Sequence, residues 1–249
     1  MADGEPCWAD LTIGEGPDVL AWYGSVLGWS FTDDGAAGHH EVVALAGGRR
    51  VAGIGGPEGS PPGWTLYFAV EDAADAADRA VEAGGMLLHG PDDDGCGGLV
   101  VVVLDAGGAV VGLWESDEVG PGPVWVEAAS AEPGQTKTFY GAVLGHAHAP
   151  TEEPGTTTLH RDGAALGAVV FAGDALPHWL VHFAVADVDA AAAAAPAAGG
   201  AVLAAPTDTP WGRRAVLADP SGARFAVLGG PVIAAARPPG RAVPPGRPG

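Results

Sequence analysis

An internal repeat at a fixed offset constrains this chain more than any other feature of its sequence. The segments PCWADL at 6–11 and AWYGSVLGW at 21–29 return as PVWVEA at 123–128 and TFYGAVLGH at 138–146, both 117 residues later. A chain that repeats itself over this distance is typical of two homologous units in tandem. We predict these units at residues 1–118 and 122–230.

Each half divides again into two segments of the same type. A predicted strand is followed by a helical run and then by short strands separated by Gly-rich turns. In the second segment, for example, the Ala-rich stretch 72–83 ends at Gly84 and Gly85, as helices often do. The sequence therefore predicts an α+β chain of four βαβββ modules. Residues 231–249 are rich in Pro, Gly and Arg and are predicted to form a flexible tail.

Composition excludes several classes of partner. The chain has 11 Lys and Arg against 31 Asp and Glu, which gives a formal charge of -20. This charge repels phosphate backbones and anionic membranes, so we expect neither nucleic acid nor a membrane as partner. Two cysteines are too few for a disulfide framework. The N-terminal residues lack a signal-peptide pattern and no long apolar run occurs, which predicts a cytoplasmic protein.

The motifs PCWADL, WYGSVLGW and GWTLYFAVED, with AGG after the second helix and DPSG before a last strand, resemble the glyoxalase/bleomycin-resistance superfamily, also called vicinal oxygen chelate proteins. The likeness covers most of the chain. It is strongest to tandem actinobacterial proteins, which include a mycobacterial secreted-antigen group and glyoxalase-like accessory proteins of anthracycline antibiotic pathways. The resemblance implies two glyoxalase-like domains with curved, partly open barrel sheets. Because this superfamily includes isomerases, dioxygenases and drug-binding proteins, the fold alone does not define the activity.

Alternation along the strands predicts which side chains line the concave side of each sheet. In the first strand, Cys7, Ala9 and Leu11 belong to an apolar set that should meet a helix. The opposite sets of the four leading strands then share the concave side. Their chemically informative members are Trp8, Asp10, Tyr67, Trp125, Glu127 and His182.

The resemblance also implies where metal ligands would lie. Metal-dependent members of the superfamily place one ligand on the first strand and one on the last strand of each module. In this chain the aligned positions are Trp8, Thr65, Trp125 and Leu180 on first strands and Gly112 and Ala226 on last strands. These residue types are poor ligands for a divalent ion. We therefore expect no metal and no other cofactor.

A concave face of rings and acids favours the binding of a small aromatic or cationic molecule without a metal. Trp8 and Trp125 would stack on a flat hydrophobic metabolite such as an aromatic antibiotic, while Asp10 and Glu127 would face its amine. The remaining predicted contacts are Thr65, Leu180 and Gly112. Such a protein would act in self-resistance or as an accessory of biosynthesis.

The alternative is a cofactor-free cyclase, isomerase or hydrolase acting on a polyketide-like substrate. His182 is its candidate general base, with Glu127, Asp10 or Tyr67 as a partner. Which acid His182 meets depends on how the modules pair, which the sequence leaves open. A structural role for His182, a metal enzyme with displaced ligands and an interaction protein also stay open.

Other polar clusters are predicted to be structural. His39, His40 and Glu41 lie on a predicted edge strand, where adjacent residues point to opposite faces, which disfavours a metal site. His146 and His148 are predicted as a surface pair, the run 92–94 as a solvated acidic loop, and Cys7 as an inert buried thiol. Two fused halves make a monomer feasible, and a homodimer is the alternative.

Overall fold

A computed structural model describes residues 3–13, 18–33, 42–56, 61–95, 98–116 and 122–230. The predicted edge strand at 39–41 and the predicted tail at 231–249 lie outside the described residues. Among the helices of the described part, none has the length and apolar character required to cross a bilayer.

The first half contains two βαβββ modules, as predicted. Their elements are β1 (Pro6–Thr12), α1 (Val19–Leu27), β2 (Ser30–Asp33), β3 (Val42–Ala46), β4 (Arg49–Gly55), β5 (Gly63–Ala69), α2 (Ala73–Glu82), β6 (Met86–Asp93), β7 (Leu99–Leu104) and β8 (Val110–Glu115).

The second half repeats this order. Its elements are β9 (Trp125–Ser130), α3 (Pro133–Leu144), β10 (Ala147–Pro150), β11 (Thr157–Arg161), β12 (Ala164–Phe171), β13 (His178–Ala184), α4 (Val188–Ala197), β14 (Ala201–Thr209), β15 (Gly212–Ala218) and β16 (Arg224–Gly229).

Each half forms one curved sheet of eight strands, and neither sheet closes into a barrel. The first has the order β2-β3-β4-β1-β5-β8-β7-β6, and the second has the equivalent order β10-β11-β12-β9-β13-β16-β15-β14. The two modules of each sheet meet where their leading strands pair antiparallel, β1 with β5 and β9 with β13. The predicted α+β class and tandem glyoxalase-like architecture are confirmed. The domain boundaries at 118 and 122 stay a prediction, with the sheets spanning 6–115 and 125–229.

The helices begin and end at residues suited to those positions. The side chain of Asp18 accepts a hydrogen bond from Ala21 N at the start of α1, and Asp72 and Asp187 cap α2 and α4 in the same way. Helices α1 and α3 both end at a glycine in the left-handed region, Gly28 at φ 69° and Gly145 at φ 66°. The chain therefore leaves α1 and α3 in the same direction in the two halves.

A single apolar core lies between the two sheets and unites the halves. Helix α1 packs on α4 and α2 on α3, so each contact joins a helix of one half to a helix of the other. Ala9 and Leu11 of β1 belong to the same core as Val126 and Ala128 of β9. The convex sides of both sheets are thereby covered. The concave sides remain as separate faces, each with its own small apolar cluster.

Candidate functional site

The concave side of the first sheet, here called the first face, brings together Trp8, Asp10 and Tyr67. The indole Nε1 of Trp8 donates to Asp10 Oδ1 at 2.7 Å. The Tyr67 hydroxyl also hydrogen-bonds the Asp10 carboxylate. Burial and the negative charge of Asp10 raise the pKa of Tyr67 well above its ordinary value, so the phenol stays protonated and donates. Strand alternation predicted this grouping correctly. Thr65, half-buried, pairs with Asp10 across the β1–β5 ladder.

Gly112 lies directly beneath the ring of Tyr67. The two residues pair in the β5–β8 ladder, and a Cβ added at Gly112 would overlap the Tyr67 ring. The position that a last-strand metal ligand would occupy is therefore filled by an aromatic ring from the neighbouring strand. Gly112 contributes to the first face by making room for Tyr67.

Two residues of the first face were missed by the sequence analysis. The indole Nε1 of Trp114 donates to Asp94 Oδ2 at 2.7 Å, and the Trp114 ring meets Trp8 edge-on at 6.0 Å and Tyr67 at 6.2 Å. Trp114 follows Gly112 by two positions on β8, so alternation would have placed it on the same face. No sequence signal separates Asp94 from its exposed neighbours Asp92 and Asp93. The prediction of a solvated run is wrong for Asp94, which is 3% exposed because Trp114 covers it.

The concave side of the second sheet, the second face, groups Trp125, Glu127 and His182. His182 Nε2 lies 3.5 Å from Glu127 Oε1, which shows that the third and fourth modules pair. His182 Nδ1 lies 3.2 Å from the carbonyl oxygen of Leu180, so Nδ1 is the nitrogen that donates. The His182 side chain is fully buried. Leu180 pairs with Glu127 across the β9–β13 ladder and is also buried.

Arg214 is the charged residue of the second face that the sequence analysis missed. Its Nη1 donates to Glu127 Oε1 at 3.1 Å. Burial alone would raise the pKa of Glu127, but His182, Arg214 and Trp125 together hold that pKa below its usual range. Alternation along β15 would have found Arg214, because Ala215 and Leu217 belong to the shared core.

A second tryptophan covers Trp125. The ring of Trp211, from the β14–β15 turn, stacks on Trp125 with centroids 4.4 Å apart and an interplanar angle of 26°. Trp125 is 4% exposed and Trp8 is 3% exposed. Both lie on the concave side as predicted. The half-buried rings Trp114 and Trp211 are therefore more accessible than Trp8 and Trp125.

Two side chains lie elsewhere than the sequence predicts. Cys7 is the extra residue of a β-bulge between the pairs Pro6–Phe68 and Trp8–Tyr67, so it joins the apolar cluster of the first face instead of the helix side. It is nevertheless buried, as expected, and burial raises the pKa of its thiol.

His146 is buried and does not form a surface pair with His148. Its Nε2 donates to the carbonyl oxygen of Gly4 at 2.7 Å. Burial lowers the pKa of His146 to about 4, although the bond to Gly4 acts in the opposite direction. His148 is half-buried, and desolvation also lowers its pKa.

The donor set of the two faces does not fit a divalent metal ion. The described residues contain no group of three or more His, Cys, Asp or Glu side chains in ligating proximity. On the second face, Glu127 and His182 are neighbours, but the guanidinium of Arg214 binds the carboxylate where an ion would. The residues aligned with ligand positions are Trp8, Thr65, Gly112, Trp125, Leu180 and Ala226. Metal independence stays a prediction.

Comparisons with known sequences place both halves in one family. A model of the glyoxalase/bleomycin resistance protein/dioxygenase superfamily matches residues 8–113, and a model of a glyoxalase-like domain matches residues 125–228. CFP32 of Mycobacterium tuberculosis, which carries a provisional glyoxylase name, is 36% identical over 90% of this chain and 94% of its own. The anthracycline biosynthesis protein DauV of Streptomyces sp. is 37% identical over 92% and 94%. DnrV of Streptomyces peucetius, also an anthracycline biosynthesis protein, is 36% identical over the same shares.

Solved structures share the fold at low sequence identity. The Mn(II)-bound glyoxalase of Novosphingobium aromaticivorans has a TM-score of 0.66 and 15% identity, over 91% of this chain and 82% of that one. The 2,3-dioxygenase LapB of Pseudomonas sp. KL28 has a TM-score of 0.65 and 17% identity, over 92% and 93%. At this identity the likeness concerns the fold alone.

Proposed function

Because the chain belongs to the glyoxalase/bleomycin resistance protein/dioxygenase superfamily, we propose that it binds a small aromatic, amine-bearing metabolite without a metal ion, as an accessory protein of natural-product biosynthesis or self-resistance. The observation that carries the proposal is the first face, where two indole N–H groups hold two carboxylates beside three aromatic rings. Rings and acids occupy the side of the sheet where metal-dependent relatives present ligands.

The chemistry of the first face suits a cationic aromatic ligand. Trp114 is half-buried and offers ring surface for stacking, while Asp94 and Asp10 provide negative charge next to it. The two Trp–Asp hydrogen bonds fix both the rings and the acids before a ligand arrives, which reduces the entropic cost of binding. An ammonium group near a carboxylate and a ring gains from ion pairing and from cation–π attraction.

The relatives support the choice of ligand class. DauV and DnrV are named for anthracycline biosynthesis, and both align with this chain over nearly its full length. Anthracyclines combine flat fused rings with an amino sugar. The acidic chain, at -20, attracts such cations rather than repelling them.

Calorimetric titration with an anthracycline and with its sugar-free aglycone tests this proposal. Asp94→Asn removes the charge and keeps one oxygen for the Trp114 indole, while the bond that Asp94 Oδ1 accepts from Gly98 N is lost. We expect about tenfold weaker binding of the amine-bearing compound, or about 1.4 kcal/mol, and little change for the aglycone, which measures the effect of the lost bond alone. Glu127→Gln on the second face is the matched control and should leave both affinities unchanged. No binding of either compound, or equal losses in both variants, would contradict the proposal.

Metal independence has its own test. Elemental analysis of protein purified without chelator should give far less than one zinc, iron or manganese per chain. Binding of the anthracycline should also persist in EDTA. A stoichiometric metal whose retention is lost in Glu127→Gln would show that the second face holds an ion despite its donor set.

A cofactor-free enzyme is the second candidate function. The observation that favours it is the contact between His182, Glu127 and Arg214 on the second face. A substrate reaches His182 Nε2 only if a neighbouring side chain moves, because the imidazole is fully buried. A bell-shaped pH profile that disappears in His182→Ala would support this function, and unchanged turnover in that variant would remove the assigned base.

A further inference from the structure

A cavity of about 190 Å³ lies at the junction of the two halves. Trp29 follows helix α1, Val51 lies on β4, Val124 precedes β9 and Phe183 lies on β13, so the walls come from both halves. Trp29 and Phe183 are buried, and their rings meet edge-on at 4.9 Å. The walls are therefore apolar and held by packing. Ligand sites occur preferentially at such junctions between domains.

A single arginine gives this cavity its charge. Arg49, the first residue of β4, is exposed and contributes to the lining. It forms no ion pair or hydrogen bond with any residue that the structure describes. A guanidinium at the mouth of an apolar cavity matches a carboxylate, which it binds through two parallel hydrogen bonds.

The equivalent place in the second half is filled by the protein itself. His146 corresponds to Trp29, since each follows the glycine that ends its helix and each packs on a phenylalanine of the other half. There the His146 imidazole bonds to Gly4 O, and Arg161 donates to Leu144 O and to Asp3 Oδ2. Asp3 and Gly4 of the N-terminal segment thus occupy the place in the second half that corresponds to the cavity.

An exchange of residues between paired strands explains the difference. In the β11–β12 hairpin, Arg161 pairs with Ala164, whereas in the β3–β4 hairpin, Ala46 pairs with Arg49. The arginine therefore lies on opposite strands in the two halves. In the second half it is tied to the backbone and to Asp3, and in the first half it lines the cavity beside a small alanine.

The geometry points to a binding site for a small carboxylic acid with one aromatic ring, seated against Trp29 and Phe183 with its carboxylate on Arg49. An apolar cavity of about 150 Å³ accepts a benzene-sized molecule, so the volume here suits one ring and not a fused polycycle. This ligand class differs in charge and size from the one proposed for the first face. The cavity and the first face therefore bind different ligands.

Titration of the full chain with benzoate, followed by the indole N–H signals in two-dimensional NMR, tests this site. Benzoate should shift the signal of Trp29 while leaving those of Trp8 and Trp114 in place. Benzylamine, which has the same ring and the opposite charge, should produce no shift. Arg49→Met should weaken benzoate binding about tenfold or more, and Ala46→Leu, which fills the cavity, should abolish it.

Arg50→Met is the matched control, because Arg50 is adjacent in sequence but does not line the cavity. It should bind benzoate as the unaltered chain does. Since Arg49 and Arg50 are both exposed, both variants should keep their fold, which the unperturbed spectrum verifies. The proposal is overturned if benzoate leaves the Trp29 signal unmoved, if the two arginine variants lose affinity equally, or if Ala46→Leu binds normally.

Discussion

The hydroxyl of Tyr23 donates a hydrogen bond of 3.0 Å to Asp219 Oδ2 and so joins α1 of the first half to the β15–β16 turn of the second. Tyr140 makes the equivalent bond to Asp105 Oδ2 at 2.7 Å in the opposite direction between the halves. Each tyrosine also accepts from a tryptophan of its own half, Trp64 at 3.1 Å and Trp179 at 2.8 Å. Two buried polar networks thereby fix how the halves meet.

We expect Tyr23→Phe and Tyr140→Phe each to lower the free energy of unfolding by about 1–3 kcal/mol, because each leaves a buried carboxylate oxygen and an indole N–H without this partner. Urea denaturation at neutral pH measures the loss. Asp105 and Asp219 are 4% and 3% exposed, so water cannot easily replace the hydroxyl. A loss below about 0.5 kcal/mol in both variants, the range of ordinary surface substitutions, would contradict this reasoning.

His146 should make the stability of the chain depend on pH between 6.5 and about 4. Its pKa falls to about 4 in the folded state, so in this interval the unfolded chain binds more protons than the folded one. Stability is therefore complete above pH 6.5 and declines as pH falls, by about 3 kcal/mol at most.

Urea denaturation across this interval, compared with His146→Gln, measures the contribution of His146. The variant keeps an amide that can donate to Gly4 O but cannot titrate, so its curve should be flatter. The low pKa of Glu127 gives a further loss at more acidic pH, which should be common to both proteins. Parallel curves between pH 6.5 and 4 would contradict the assignment to His146.

Gly112→Ala should destabilise the chain by about 1–3 kcal/mol, because the new methyl group overlaps the Tyr67 ring in a closely packed face. Gly134→Ala is the matched control. It lies in helix α3 with no atom near its Cβ, so it should stabilise by up to about 1 kcal/mol. Thermal denaturation of both variants makes the comparison. Equal denaturation temperatures of the two variants would show that the Tyr67 ring moves to accommodate the methyl group without loss of stability.

Arg214→Met should raise the pKa of Glu127, since it removes a cation 3.1 Å from Glu127 Oε1. The titration of that carboxyl is followed by NMR with carbon detection. Arg213→Met is the control, because Arg213 binds Asp189 and Asp208 at 2.6 Å and 2.9 Å instead of Glu127. A Glu127 titration that shifts equally in both variants would indicate a general field effect instead of the direct pair.

The parts of the molecule that follow from local periodicity could be predicted from sequence. The repeat predicted the modules, and alternation predicted the positions of Trp8, Asp10, Tyr67, Glu127 and His182 on the concave sides. Contacts between distant segments could not be predicted in this way. Trp211 reaches Trp125 from a hairpin turn, and His146 is buried because the N-terminal residue Gly4 packs on it.

Irregular backbone accounts for the remaining error. A single-residue bulge at Cys7 changes the side of the sheet that its thiol faces, because one extra residue reverses the alternation. Pro6 directly precedes Cys7, but proline is equally usual at the first residue of a strand, so it does not by itself indicate a bulge.

The shared core has a consequence for how this duplicated chain evolves. A side chain on the convex side of either sheet packs against residues of both halves. Any substitution there must therefore fit the packing of both halves. The rings and acids of the two concave sides belong to clusters that are separate from this shared core. The concave face of each half can therefore change separately from that of the other half. The two faces already differ at equivalent positions, with Tyr67 in the first half and His182 in the second, and with Val100 in the first and Arg214 in the second.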